Sequence, residues 1–172
     1  TGIALIDTEA KTIATRCFKS ARKSAKVKIT GQEKMERLEF HAVTSEKLAK
    51  NIDLAIIEGY AFAQPGLSYQ IGEVGGLWRL SLFRSKTPSF TVPPTTLKKF
   101  AIGNGSAKKD TFYAKLICSN MEKRCPFGDL HQIQTDDELD AACLALMGWF
   151  WKCDQDGVTR LQRECFGKME AL

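Results

Sequence analysis

Residues 54–58, Leu-Ala-Ile-Ile-Glu, are four apolar residues closed by a carboxylate, with Asp53 before them and Gly59 after. A short unbroken apolar run between polar and glycine punctuation has the pattern of a strand covered on both faces. It is read as the central strand of a sheet. An ionised carboxylate moved into apolar surroundings is costly unless it is paired or binds a metal, and the ends of strands in α/β sheets are where ligand crevices open. Glu58 is therefore the first candidate site residue, with a solvated position just past the strand as the alternative.

Upstream, Gly2 to Asp7 (GIALID) and Thr12 to Phe18 (TIATRCF) are β-rich runs on either side of a polar turn, which predicts a hairpin. Gln32 to Lys50, with Met35, Leu38, Val43 and Leu48 among charges, predicts an amphipathic helix. Downstream, Ser68 to Ser85 holds Ile71, Val74, Leu77, Trp78, Leu82 and Phe83 at helical spacing, together with Gly72, Gly75 and Gly76. Each mid-helix glycine costs about 1 kcal/mol against alanine. Three of them imply close backbone approach to a neighbour, either a strand of the same chain or a helix of a second subunit. Ser89 to Val92 reads as the last strand, stopped by Pro93 and Pro94. A short helix, TTLKKFA, leads into GNGSAKKD, and a further helix is expected from Ala107 to Lys123. Two glycines two apart ahead of a helix can cradle a phosphate on backbone N–H groups, though Gly-x-Gly alone is weak. The longest helix is expected from Thr135 to Trp151, capped by Thr135 or Asp136, with Leu139, Ala142, Cys143, Leu146 and Phe150 on its buried side. One more helix is expected from Thr159 to Met169.

The 172 residues fit one domain able to bury a real core. A hydrophobic share of 44% and a charged share of 26% describe a soluble globular chain, and no apolar run reaches membrane-spanning length. The net charge of +5 is concentrated in Arg22, Lys23, Lys26 and Lys28, and in Lys98, Lys99, Lys108 and Lys109. Such clusters suit a polyanion such as nucleic acid or form two solvated loops. The six cysteines contain no Cys-x-x-Cys pair and only His41 and His131 accompany them, so a zinc site is not expected. Cys118 and Cys143 fall in helical apolar patterns and read as reduced core residues of a reducing compartment.

Asp137 and Asp140, three apart, share one helix face with Cβ atoms roughly 5–6 Å apart. Asp137 favours the helix N-terminus. Asp140 lies beyond the first turn, directly before AACLALM, and no Lys or Arg stands at i±3 or i±4. Glu58 with this pair makes a hard-oxygen set suited to Mg²⁺ or Mn²⁺. Two such ions are a standard device for phosphodiester hydrolysis. Carboxylates on a basic chain point to a nuclease.

IEGYAF (Ile57 to Phe62), GEVGGLWRL (Gly72 to Leu80), VPPTTLKKFAIGNGSAKKD (Val92 to Asp110) and DDELDAACLALM (Asp136 to Met147) resemble, in that order, the RuvC family of Holliday junction resolvases. The third block is the most specific, and the style is that of phage or bacterial members. The resemblance implies an RNase H-like α/β fold, with a mixed five-stranded sheet and helices on both faces. It implies a homodimer that grips branched, four-way DNA, and symmetrical nicking by a four-carboxylate site with two Mg²⁺ (or Mn²⁺) ions. It assigns Glu58, Asp137 and Asp140 as metal ligands, and Lys98 and Lys109 as cations near the scissile phosphate. The dimer interface would hold Gly72, Gly75, Gly76, Trp78 and Arg79. An aromatic after the central strand would wedge the junction; Tyr60 and Phe62 both qualify, and core burial suits either. Arg22, Lys23, Lys26, Lys28, Lys99 and Lys108 would track phosphates.

In this family the first carboxylate lies on a strand shortly before a Thr-Gly that opens the next strand, and this chain begins at Thr1-Gly2. A preceding strand with its Asp is therefore expected in the natural protein; a molecule truly starting here would bind metal poorly and cleave little. Asp7, closing a hairpin, is the wrong substitute. The competing readings are a catalytically silent junction binder and another RNase H-like nuclease. The expected setting is bacterial cytoplasm or a phage-infected cell, with an organelle left open.

Overall fold

Threonines open three of the helices. In the computed structural model, which describes residues 2–17, 30–59, 68–108, 125–127, 133 and 135–172, Thr30 and Glu33 form a reciprocal capping box at the start of α1 (Gly31–Ala49). The long helix after the basic region, α4 (Asp136–Cys153), is capped by Thr135, whose hydroxyl accepts from the Glu138 N–H at 3.3 Å and donates to the Glu138 carboxylate at 2.6 Å. Thr159 and Gln162 repeat the box at α5 (Arg160–Phe166). The remaining helices are α2 (Ser68–Ser85) and α3 (Pro94–Ile102), the latter entered through Pro94, whose fixed φ suits a first turn.

Five strands complete the described chain: β1 (Gly2–Asp7), β2 (Thr12–Cys17), β3 (Ala55–Glu58), β4 (Ser89–Val92) and β5 (Glu170–Ala171). The hairpin is as expected, with Gly2 opposite Cys17 and Asp7 opposite Thr12 in antiparallel register. The single five-stranded sheet is not what the described strands form: β1 and β2 make a two-stranded sheet, and β3, β4 and β5 a three-stranded one in that order. Residues 55–58 are thus an outer strand among the described residues. Ala55 to Ile57 are half-buried and Glu58 is exposed, rather than covered on both faces. Ala55 donates to Pro88 at 3.0 Å and Gly59 to Val92 at 2.7 Å, so β3 and β4 run parallel, as a helical crossover allows. Nor is β4 the last strand, because β5 follows α5. Ala107 and Lys108 are not helical; the rest of the helix expected to Lys123, with Cys118, lies outside the described residues.

The described chain divides into two compact units. In the first (Thr1–Phe18, Ile56–Gly59 and Thr91–Glu170), α4 is the spine. Ala142, Cys143, Leu146 and Met147 are fully enclosed and Phe150 is 2% exposed. A helix apolar on so many sides belongs inside a core, and each large side chain there contributes about 1.5–3 kcal/mol by burial. The hairpin packs on one part of α4 and α3 on another; Phe100 of α3 meets Phe150 at 6.3 Å between ring centres. In the second unit (Lys19–Ala55, Tyr60–Phe90 and Ala171–Leu172), α1 lies along α2. His41 meets Trp78, Ser45 shares a 2.8 Å hydrogen bond with Ser81, and Glu46 approaches Arg84 at 3.9 Å. These pairs rise together along both helices, which are therefore parallel. No helix among the described residues is long and apolar enough to cross a membrane.

Candidate active site

The site is assembled around the head of α4. Asp137 is exposed and Asp140 half-buried, with buried Leu139 between them turned to the core. The two carboxylates thus share the i, i+3 face that the spacing predicts. The open end of the hairpin frames Asp137 on two sides. The Cys17 Sγ, at the end of β2, points at Asp137 Oδ2 over 3.7 Å as a weak S–H donor. Gly2, its register partner on β1, lies so close that a Cβ there would overlap the Asp137 carbonyl. Neither contact is visible in sequence, because both are tertiary; a glycine at a strand start was their one available signal.

Asp140 stands where the helix turns apolar. One turn on, burial pushes the Cys143 thiol well above its ordinary range, and the charges of Asp140 and Cys125 push the same way. Cys143 is therefore an inert neutral thiol, and a carboxylate borders the core beside it. Glu58 is the last residue of β3 and is exposed. Gly59 after it packs tightly: a Cβ would meet the Val92 carbonyl at 3.3 Å. Asp7 is engaged elsewhere, its Oδ1 accepting from the N–H groups of Glu9 and Ala10 at 2.9 Å to close the hairpin turn.

Among the described residues no three His, Cys, Asp or Glu side chains converge on one point. Asp137 and Asp140 are brought to one face, and Glu58 does not join them in a cage. The donor chemistry still fits a hard cation, since Mg²⁺ is commonly held through one or two carboxylates with water and substrate phosphate completing the shell.

Of the cations, Lys98 is half-buried and its Nζ donates to the Ala107 carbonyl at 2.9 Å. Lys99 approaches Glu164 of α5 at 3.6 Å, and Lys108 is exposed. Lys109, Arg22, Lys23, Lys26, Lys28, Tyr60 and Phe62 lie outside the described residues. The Gly-x-Gly is accounted for by backbone geometry: Gly103 closes α3 at φ 79°, and Gly105 sits where a Cβ would come within 2.6 Å of the Thr95 carbonyl.

The expected interface residues divide. Trp78 is turned to α1, its indole N–H directed at His41 Nδ1 over 3.5 Å, and Arg79 donates to the Gly75 carbonyl of its own helix at 3.1 Å. Cβ atoms built on Gly72 or Gly76 meet nothing within 4 Å. One and two turns beyond Gly76 come Leu80 and Phe83, 43% and 78% exposed. Positions 72, 76, 80 and 83 form one stripe at helical spacing, which the sequence reading missed at its apolar end.

No family model matches the chain. Its sequence is similar to the crossover junction endodeoxyribonuclease RuvC of Prochlorococcus marinus strains MIT 9303 and MIT 9313, at 27% identity over 97 residues. That match spans 56% of this chain and 58% of each relative's length, so the chain spans less than two thirds of the curated relatives it matches. Its fold is similar to that of Thermus thermophilus RuvC, with a TM-score of 0.57 at 17% identity, over 99% of this chain and 91% of that one. The structure of T. thermophilus RuvC in complex with Holliday junction substrate gives a TM-score of 0.58 at 16% identity, over 99% and 90%. The chain resembles RuvC in sequence and has a RuvC-like, mixed α/β fold.

Proposed function

We propose that this chain is a structure-selective DNA endonuclease that resolves four-way junctions by paired, metal-dependent nicks, working as a homodimer. The observation that carries the proposal is the pair Asp137 and Asp140, on one face at the head of the core helix of a RuvC-like fold. The pair and Glu58 are the residues that would hold Mg²⁺ or Mn²⁺, one or two ions per site. When bound, the metal supplies Lewis acidity to the phosphodiester and lowers the pKa of the attacking water.

The chain's own residues do the rest. The hairpin end holds Asp137 in place through Gly2 and Cys17. Lys98 and Lys109 bring positive charge to the region of the scissile phosphate, where it stabilises charge that develops in the transition state. Lys99, Lys108, Arg22, Lys23, Lys26 and Lys28 follow the sugar-phosphate backbone, and Tyr60 or Phe62 stacks on a base at the junction. Two copies meet through the stripe of α2 that carries Gly76, Leu80 and Phe83, which supports pairing because it combines a small residue with exposed apolar ones.

The test is cleavage of a labelled four-way junction against matched linear duplex, with Mg²⁺ and with EDTA, for the protein and for Asp140→Asn. The expected result is paired nicks in the junction with Mg²⁺ alone, reduced at least about a hundredfold in the variant. Undiminished cleavage by Asp140→Asn would sink the assignment. Tight binding without nicks would make the protein a silent junction binder, and equal cutting of both DNAs a general nuclease.

A further inference from the structure

Lys98 and Ala107 are joined across the loop that follows α3, the Nζ donating to the carbonyl at 2.9 Å. Each joint of that loop is fixed. The Gly103 N–H returns to the Lys99 carbonyl at 2.8 Å, and the Ser106 N–H donates to Asn104 Oδ1 at 3.0 Å. The Ala107 N–H reaches the Asn104 carbonyl at 3.4 Å, Gly105 lies against Thr95, and Ala107 is 6% exposed. Exposed Lys108 follows immediately. A half-buried ammonium committed to a backbone carbonyl makes a charge-assisted bond that closes a ring of structure, unlike a surface lysine swinging freely toward a phosphate.

We infer that Lys98 is a positioning residue: by holding the Ala107 carbonyl it fixes the direction in which Lys108 leaves the loop toward a DNA phosphate. This rests on the DNA-binding reading above, and it gives Lys98 a task besides the charge it brings to the site.

The test combines junction-binding titrations with amide hydrogen exchange on the free protein, for Lys98→Met, Lys108→Ala, the double variant and Asn104→Ala. Lys98→Met and Lys108→Ala each weaken binding about tenfold, the scale of one hydrogen bond to a charged group. The double variant loses less than the product of the two single losses, because the positioning by Lys98 acts through the Lys108 contact. Exchange at Ser106 and Ala107 quickens about tenfold or more in Lys98→Met and stays at the parent rate in Lys108→Ala. Losses that multiply in the double variant, or unchanged exchange in Lys98→Met, overturn the inference. Asn104→Ala loosens the same loop without removing a charge and serves if Lys98→Met does not fold; parent-like binding and exchange in it overturn the inference equally. A parent protein with no junction affinity would instead sink the functional reading, and exchange would still report whether Lys98 holds the loop.

Discussion

Gly76 offers a substitution whose effects on one molecule and on two have opposite signs. It lies in the interior of α2, and a Cβ built there meets nothing within 4 Å. Gly76→Ala in an isolated subunit therefore gains the full helix propensity difference, about 0.8–1 kcal/mol, with no steric cost. For a chain of this size that raises Tm by about 2–4 °C. If two copies pair along the stripe of Gly76, Leu80 and Phe83, the same methyl intrudes where two backbones approach. Overpacking costs about 1–3 kcal/mol per site, and two-fold symmetry doubles it. The dimer then weakens by about 2–6 kcal/mol, which is from about thirtyfold to about twenty-thousandfold in Kd. Sedimentation equilibrium measures the second effect, and thermal unfolding at concentrations below the dimer Kd measures the first. A variant with raised Tm and an unchanged dimer would refute the assignment of this stripe to the subunit contact; a parent that stays monomeric at every concentration would refute the homodimer.

Phe83→Glu should abolish dimerisation in the same assay while the monomer's circular dichroism stays that of the parent, since Phe83 is 78% exposed. Leu146→Ala removes a fully enclosed side chain from α4 and should cost about 2–5 kcal/mol in urea unfolding; a loss below about 1 kcal/mol would mean that α4 is not the spine described. Burial, then the charge of Arg37, holds His41 below its ordinary 6.5. The unfolded chain therefore binds that proton more readily, so this contribution to stability is complete above about pH 6.5 and is lost as pH falls toward the lowered folded value. Tm scans between pH 7.5 and 5.5 should show the decline, and His41→Asn should flatten it. Lys108→Ala should weaken binding to all DNA sequences alike and reduce the slope of log affinity against log salt by about one.

What was legible in the sequence depended on how local its cause was. The hairpin and the buried side of α4 follow from period and turn residues within a few positions, and of the two candidate caps, Thr135 and Asp136, it is Thr135 that caps the helix. β5 carries no such signal: Glu170 and Ala171 are poor strand formers, and their pairing in the β3–β4–β5 sheet is set by the fold. The apolar run at 54–58 announces a strand but not its neighbours, and among the described strands β3 pairs with β4 alone. Asp137 and Asp140 share a face because i, i+3 spacing is local geometry. The brace of Gly2 and Cys17 around Asp137 joins residues more than a hundred positions apart and was invisible. So was the bond from Lys98 to Ala107, nine positions apart across a loop.

The sulfur beside Asp137 is also a place to attach a reporter. Cys143 and Cys165 are enclosed in the core, whereas Cys17 is partly accessible to solvent. With Cys118, Cys125 and Cys153 changed to serine, a maleimide fluorophore or nitroxide would be directed to Cys17, whose sulfur stands 3.7 Å from the Asp137 carboxylate. Paramagnetic Mn²⁺ arriving at that carboxylate would quench the label, so that metal occupancy could be followed optically in real time and separately from any cut in DNA.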